Sequence, residues 1–474
     1  MMWQYTRELL AILFVAFLGY GLVATMLRGS IHLLSRVELA SYSFTVGLGA
    51  LTSSMFLLSL FEVPFSLPAI LLFGLIPAAL LLAGRKIRVA EISCTRPAPP
   101  EHIFVSSAIL PQRVSILVLV ATLLFVLVGC LNEPISEMDP VAAWALHAKV
   151  FYCDRTAFPL YLTSGGCGPF VSHWKPLLPL TQTWVHIGMG SYDDLKVKVV
   201  FFLMYAAMLG ALFGALRRLL SRTYSLALLL LVATAPAIIV PFPGGSVASA
   251  YADVPLALFV TAATGLLVAW MASENKRFLI LASLLVALAV WVKREGLVFA
   301  GVSTGLVWIF ELSRKTRIRR ERIGLPLSFT LAPAISIILL ELNMSRFPDS
   351  GLLVGDVLGS SRVFSAAWAA RLFKLLGYLA LRCADPSNWG PLWLLLVLLV
   401  LLRAKHLRKR IIAFPLLVIV GYLAFALAFM AASAYGVGHL ANLDMRRVLI
   451  QVAPVAAMVI GLLSAVQDPQ AEAH

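Results

Sequence analysis

The residues able to do chemistry fall in five short stretches of an otherwise apolar chain. The first holds Glu133, Glu137 and Asp139, and the second is the proline-bounded run Ser172-His173-Trp174-Lys175-Pro176. The third is Tyr251-Ala252-Asp253-Val254-Pro255, the fourth Lys293-Arg294-Glu295-Gly296, and the fifth contains His439, Asp444, Arg446 and Arg447. Several Lys, Arg and His side chains beside a bilayer suit a phosphate at the end of a lipid, because charge-assisted hydrogen bonds neutralise the headgroup while its tail stays among apolar helices. A carboxylate at the rim of such a site suits a general base that takes a proton from an attacking hydroxyl. If cations stabilise the departing phosphate, no protonating acid is needed. Together these groups fit transfer of a sugar from a lipid phosphate. Each residue alone has a plainer account: Asp253 as a helix cap, Lys293 and Glu295 as a solvated turn, His173 as an interfacial polar group, Arg446 as a headgroup anchor. Acids and bases recurring together in five separate turns are harder to explain that way.

The elements that carry these turns are membrane helices. The chain has 474 residues, 61% of them hydrophobic and only 13% charged, whereas soluble domains are about half apolar and about a quarter charged. Apolar stretches of roughly the 20 residues needed to cross a bilayer recur near 8–27, 38–60, 65–84, 113–131, 197–216, 224–242, 254–272, 278–292, 296–312, 324–341, 389–403, 411–431 and 448–465. The expectation is an all-α polytopic protein of about thirteen helices. Its net charge of +15 does not point to nucleic acid. The basic residues cluster between spans, at Arg217, Arg218 and Arg222, at Lys276 and Arg277, at Arg314 to Arg322, and at Arg403 to Arg410, as cytoplasmic loops require. That places all five chemical turns on the outer face, with the N-terminus outside and the C-terminus inside. No basic flank and small-residue cleavage site marks residues 8–27 as a signal peptide.

Residues 113–474 form the main membrane domain, with 1–112 as N-terminal transmembrane helices of the same unit. Two outer loops are long enough to fold, about 132–196 and 342–388. In the first, Asp139 before Pro140 has the pattern of a helix N-cap followed by proline at the first helical position, and the next residues alternate apolar groups with His147 and Lys149 as an interfacial helix would. In the second, Phe364, Trp368, Leu372, Phe373 and Leu376 are interleaved with Arg371 and Lys374, again the pattern of a helix on headgroups. Cys153 and Cys167 share the first loop, as a disulfide or as two thiols. There is no Walker loop, HExxH, paired-cysteine metal motif or serine elbow.

The order of these motifs resembles the GT-C glycosyltransferases, and more closely the bacterial members similar to protein O-mannosyltransferases and to the aminoarabinose transferase of lipid A, glycosyltransferase family 39-like. The resemblance runs over residues 113–465 through Glu137-Met138-Asp139, Trp144, Lys149, the His173-to-Pro179 re-entry, Ala252-to-Leu256, Lys293-to-Leu297 and Arg446 ahead of Pro454. It implies a polyprenyl-phosphate sugar donor, an active site on the periplasmic side of the bacterial inner membrane, and inversion at the anomeric carbon. Asp139 is then the base, with Glu137 as the alternative, because relatives carry two adjacent acids where this chain has Glu137 two residues earlier and Pro140 immediately after. Asp253 is a second catalytic-site carboxylate. Lys175, Lys293 and Arg446 hold the lipid phosphate, with His173 and Glu295 nearby. Relatives often have Tyr-Pro where this chain has Trp174-Lys175. A divalent metal is compatible with Asp139 and Asp253 as oxygen ligands, and the acceptor is a glycan, lipid or protein.

Two other functions use related features. An O-antigen polymerase or ligase also needs many spans and basic residues but not the early acidic motif. A transporter or flippase would place charges at mid-membrane on broken helices within structural repeats, and here the charges sit at helix ends with no repeat in the sequence.

Overall fold

The computed structural model describes residues 2–83, 109–164, 175–240, 245–314, 319–346, 365–433 and 436–466, and among them every regular element is helical. The main helices are α1 (Met2–Met26), α2 (Arg36–Leu60), α3 (Leu67–Ala83), α4 (Ile109–Asn132), α5 (Leu146–Asp154), α6 (Leu177–Met189), α7 (Val199–Arg217), α8 (Arg222–Ala233), α9 (Asp253–Ser273), α10 (Lys276–Val292), α11 (Glu295–Leu312), α12 (Arg319–Met344), α13 (Ala366–Ala384), α14 (Leu392–Leu402), α15 (Arg410–Ala432) and α16 (Met445–Ser464). Helix lies within each of the apolar stretches, though not throughout: between 224 and 242, α8 stops at Ala233 and a short helix, Pro236–Ile239, follows it. Nine helices among the described residues are long and apolar enough to cross a membrane, and α3, α8, α10 and α14 are shorter. The chain is an integral, multi-pass membrane protein.

Helix pairs approach closely where side chains are absent. A Cβ on Gly19 would lie 1.7 Å from the Ser43 carbonyl oxygen, and one on Gly47 would lie 2.0 Å from that of Val15, so α1 and α2 pack backbone on backbone, the way membrane helices associate without a hydrophobic driving force between them. α1 also meets α6, where the Trp184 indole N–H donates to the Ala11 carbonyl at 3.0 Å. The N-terminal helices are thus built into the same bundle. At its centre stand α9 and α16, each 94% buried over its apolar window, whereas α4 is only 17% buried and turns an apolar face outward. The two central helices are antiparallel neighbours of α10 and α15.

Charged contacts define the two ends of the bundle. At one, Arg218 ending α7 meets Glu38 near the start of α2 at 2.8 Å, and Lys276 starting α10 meets Glu321 near the start of α12 at 2.9 Å. At the other end lie the starts of α9, α11 and α16, the end of α10, and Lys198 before α7, whose ammonium donates to the Glu133 carbonyl just beyond α4 at 2.6 Å. Asp253, Lys293, Glu295, Asp139 and Arg446 are all at this second end.

The two long loops behave differently. α13 is amphipathic and mostly exposed; only Leu375 is fully buried, and Phe373, Leu376 and Leu381 face outward. Ser365 caps it through the Trp368 amide at 3.1 Å, and the Trp368 indole anchors it to the Ala428 carbonyl of α15 at 3.2 Å. Phe364 lies outside the described residues. α5, expected to rest at the interface, instead buries His147, Ala148 and Phe151 and accepts a hydrogen bond from Thr183 of α6 to the Ala148 carbonyl at 3.2 Å. Its polar groups are used for packing within the protein: the Lys149 ammonium stands 5.3 Å from the Tyr192 ring centre. Cys153 is exposed and Cys167 lies outside the described residues.

Candidate active site

Asp253 opens α9 and is completely buried. Ala252, not Asp253, occupies the N-cap position, so the carboxylate is turned inward to three donors. Lys293 Nζ lies 2.7 Å from Oδ1, Gln451 Nε2 2.5 Å from Oδ1, and Arg447 Nε 3.0 Å from Oδ2. A buried carboxylate needs such a set, since removing its hydration costs several kcal/mol before pairing. Behind Gln451, the Tyr422 hydroxyl donates to the Gln451 amide oxygen, which fixes the amide so that its N–H faces Asp253.

Arg447 links this buried centre to the more open groups. Its Nη1 reaches Asp139 Oδ2 at 2.9 Å, with Asp444 Oδ1 at 3.7 Å, and its guanidinium lies 4.6 Å from the Tyr251 ring centre. The Tyr251 hydroxyl donates to Glu137 Oε2 at 3.2 Å. Burial, together with the nearby Asp139 and Glu137 carboxylates, pushes the Tyr251 phenol far above its ordinary range, so it stays a donor. On the opposite side Lys293 also meets Glu295 at 2.8 Å. The result is one connected network with a gradient of exposure, from Asp253 at 0% through Glu295 at 27% to Asp139 at 35%.

Local structure explains how Asp139 comes to face the network. It stands at the N-cap of a π-helical turn, Pro140–Ala145, that leads into α5, but its side chain makes no capping bond; Pro140 has no N–H to offer, and the carboxylate is committed to Arg447. A second π-helical turn, Leu440–Asp444, leads into α16 just before Arg447. Single π turns are uncommon and often occur at functional sites; here both adjoin the same ion network. The α10–α11 turn is equally constrained. A Cβ on Gly296 would lie 1.9 Å from the Ala289 carbonyl oxygen, and this close approach brings Lys293 and Glu295 onto one side. Gly245, with φ of +109°, lets the chain pass within 3.2 Å of Asp253 Oδ2, measured from where a Cβ would stand.

Of the expected site residues, the structure brings together Asp139, Asp253, Lys293 and Glu295, with Glu137 joined through Tyr251. Lys293 is engaged by two carboxylates rather than left for a ligand. Arg446 points elsewhere: its guanidinium donates to the main-chain carbonyls of Pro236 and Ala237 at 3.4 and 3.2 Å. Lys175 is 4% exposed and feels the charge of Arg294, which lies between the network residues Lys293 and Glu295. Burial, reinforced by the Arg294 charge and opposed by Glu341, pushes its ammonium down to about 8. His173 lies outside the described residues, as does the side chain of His439.

Arg447 and Tyr251, which the sequence placed in two of the five turns without assigning them a role, and Gln451, which it did not single out, all belong to the network. Arg447 and Gln451 are spaced i, i+4, so they share one face of α16, and a buried Gln in an apolar span needs a partner. That spacing was the available signal.

The donor set does not suit the divalent metal that the sequence allowed between Asp139 and Asp253. Both carboxylates are directed at the same guanidinium, which supplies the positive charge there, and among the described residues no group of three or more His, Cys, Asp or Glu could hold a metal ion.

No protein-family model matches the chain, and no curated protein matches it. Two solved structures resemble it. One is the archaeal oligosaccharyltransferase AglB from Archaeoglobus fulgidus in complex with an inhibitory peptide and a dolichol-phosphate, at a TM-score of 0.44 and 13% identity over 74% of this chain and 50% of that one. The other is an Archaeoglobus fulgidus oligosaccharyltransferase in complex with Zn and sulfate, at 0.41 and 12% over 72% and 48%. The chain spans about half the length of these structures.

Proposed function

We propose that the chain is a GT-C-type glycosyltransferase that moves a sugar from a polyprenyl-phosphate donor to an acceptor hydroxyl on the periplasmic side of a bacterial inner membrane, with inversion and with Asp139 as base. The observation that carries this reading is the position of Asp139. It is the most exposed carboxylate on Arg447, and the same guanidinium is fixed from behind by fully buried Asp253. A base must be open to its substrate and held in one orientation, and this pair provides both.

In the reaction, the acceptor hydroxyl hydrogen-bonds to Asp139. Its oxygen forms a bond to the anomeric carbon as the bond from that carbon to the phosphate oxygen breaks, and its proton passes to Asp139. The lipid phosphate leaves with the bonding electron pair. Arg447 holds Asp139 in one orientation, and the Tyr251 hydroxyl occupies Glu137, which favours Asp139 over Glu137. The phosphate needs cations. Lys293 is engaged by Asp253 and Glu295, so the role shifts toward Lys175, where burial beside Arg294 makes the arrival of an anion favourable. No step runs through a metal.

The test is genetic and chemical. In a deletion strain, one sugar should be missing from extracted lipids or glycans. Wild-type protein should restore it and Asp139→Asn, expressed to the same level in the membrane, should not. Restoration by Asp139→Asn would contradict the reading, and flux of a lipid or polysaccharide without any covalent sugar product would favour a transporter.

A further inference from the structure

A cavity of about 590 Å³ opens at the same end of the bundle as the ion network. Its walls are the turn after α2, with Glu62; the end of α5, with Asp154 and Arg155, followed by Phe158; and Arg346 beyond α12. Fifteen residues separate Asp139 from Asp154, roughly 20 Å of helix at about 1.5 Å per residue, so this is a second site and not part of the first.

Its walls are fixed to one another. The Phe65 amide donates to the Arg155 carbonyl at 2.7 Å, and the Ala157 amide donates to the Ser59 hydroxyl at 2.8 Å. Glu62 and Arg155 both adopt left-handed backbone, with φ of +58° and +57°, a conformation that costs a non-glycine residue energy and is kept where the surroundings impose it. The guanidiniums lie over aromatic rings, Arg155 at 4.6 Å from the Tyr152 centre and Arg346 at 5.4 Å from that of Phe158. Among the described residues, none of the four charged side chains forms an ion pair.

The chemistry of the lining selects the ligand class. Two carboxylates balance two guanidiniums, so a phosphate or carboxylate would meet repulsion as well as attraction, and a lipid tail would strand four charges. Uncharged hydroxyls satisfy both kinds of group, donating to Glu62 and Asp154 and accepting from Arg155 and Arg346. Phe158 adds an apolar ring to the lining. The volume is in the usual range of about 300–1,000 Å³ for small-ligand sites.

We propose that this cavity is a distal subsite for an uncharged segment of an acceptor glycan, held there while its other end presents a hydroxyl at Asp139. Only the word acceptor rests on the transfer reaction proposed above; the cavity's affinity for a glycan does not. The experiment uses full-length protein in lipid nanodiscs. The probes are neutral oligosaccharides released by mild acid from the envelope of the producing cells, end-labelled and separated by size. Wild type should bind the longer fractions, and Glu62→Ala/Arg346→Ala should bind them at least tenfold more weakly. Arg346→Gln alone, at an exposed helix end, should give a smaller loss in the same direction and serves if the double variant fails to fold. Absence of binding to wild type, equal binding by the variants, or capture of inorganic phosphate in preference to the oligosaccharides would overturn the assignment. Intact binding with no glycosyl product would instead count against the transfer reaction and leave the cavity assigned.

Discussion

The two ends of the bundle use charge in opposite ways. At the end that carries Glu38, the acids are held in separate contacts: Glu38 with Arg218, Glu321 with Lys276, and Glu274 and Glu311 with Arg314. Apart from Glu311 and Arg314, which lie at one helix end, these contacts tie one helix terminus to another. At the opposite end, Asp139, Asp253, Asp444, Glu295, Lys293 and Arg447 form one network that begins at a fully buried carboxylate and ends at a partly exposed one. Ion pairs alone therefore do not mark a site in this molecule. Connectivity does, together with a buried anchor and a group left open to the outside.

That contrast is open to direct tests. Asp253→Asn should have the largest effect, because it leaves Lys293 and Arg447 buried against a neutral amide. Breaking a buried pair costs about 3–5 kcal/mol, and the variant should lose both thermal stability in detergent and any transferase activity. Stability within experimental error of wild type would dissolve the claim that Asp253 anchors the network. Gly296→Ala comes next. The Cβ would collide with the Ala289 carbonyl, and the forced shift, of order 1–3 kcal/mol as for overpacked cores, should lower the melting temperature and reduce activity by displacing Lys293.

A smaller effect is expected from pH at Lys175. Its ammonium is held down to about 8, below the usual lysine value, by burial and by Arg294. Below pH 8 it is charged and available to a lipid phosphate; above pH 8 it becomes neutral, so donor affinity should fall as pH rises through that value. The sign for stability is the reverse. Between about pH 8 and the unfolded lysine value the unfolded chain binds the extra proton, so this residue's contribution to stability increases with pH there. Lys175→Arg should flatten the affinity profile. Glu321→Gln at the other end should do least: the pair with Lys276 is 39% and 49% exposed, and exposed pairs contribute about 0–1 kcal/mol. Loss of activity there would undo the distinction between the two ends.

Much of the fold was legible because membrane helices are specified locally. A stretch of apolar residues long enough to span leaves the backbone no alternative to helix, and helix is found within every one of the stretches. Length was the less certain property: α8 ends at Ala233, and only a four-residue helix, Pro236–Ile239, follows it in the stretch expected to span as one. The acids at the Glu38 end were also underweighted, since positive charge dominates those turns in the sequence. Within the site, Asp139, Asp253, Lys293 and Glu295 were legible because a charge at the mouth of an apolar helix needs an explanation. Arg447 was passed over for Arg446 because adjacent residues on a helix differ in direction by about 100°, and only packing decides which one faces Asp253. The burial of α5 was hidden for a related reason: an amphipathic pattern gives a helix one apolar face without saying whether lipid or α6 will cover it.

The account stands most directly on Asp139. With purified protein in liposomes and radiolabelled polyprenyl-phosphate hexose and pentose donors, single-turnover sugar transfer and donor binding can be measured for wild type and Asp139→Asn. The variant should bind donor as wild type does and transfer about 10²–10⁴-fold more slowly, the range expected for loss of a general base. Transfer within a few fold of wild type would contradict the assignment of Asp139 as the base.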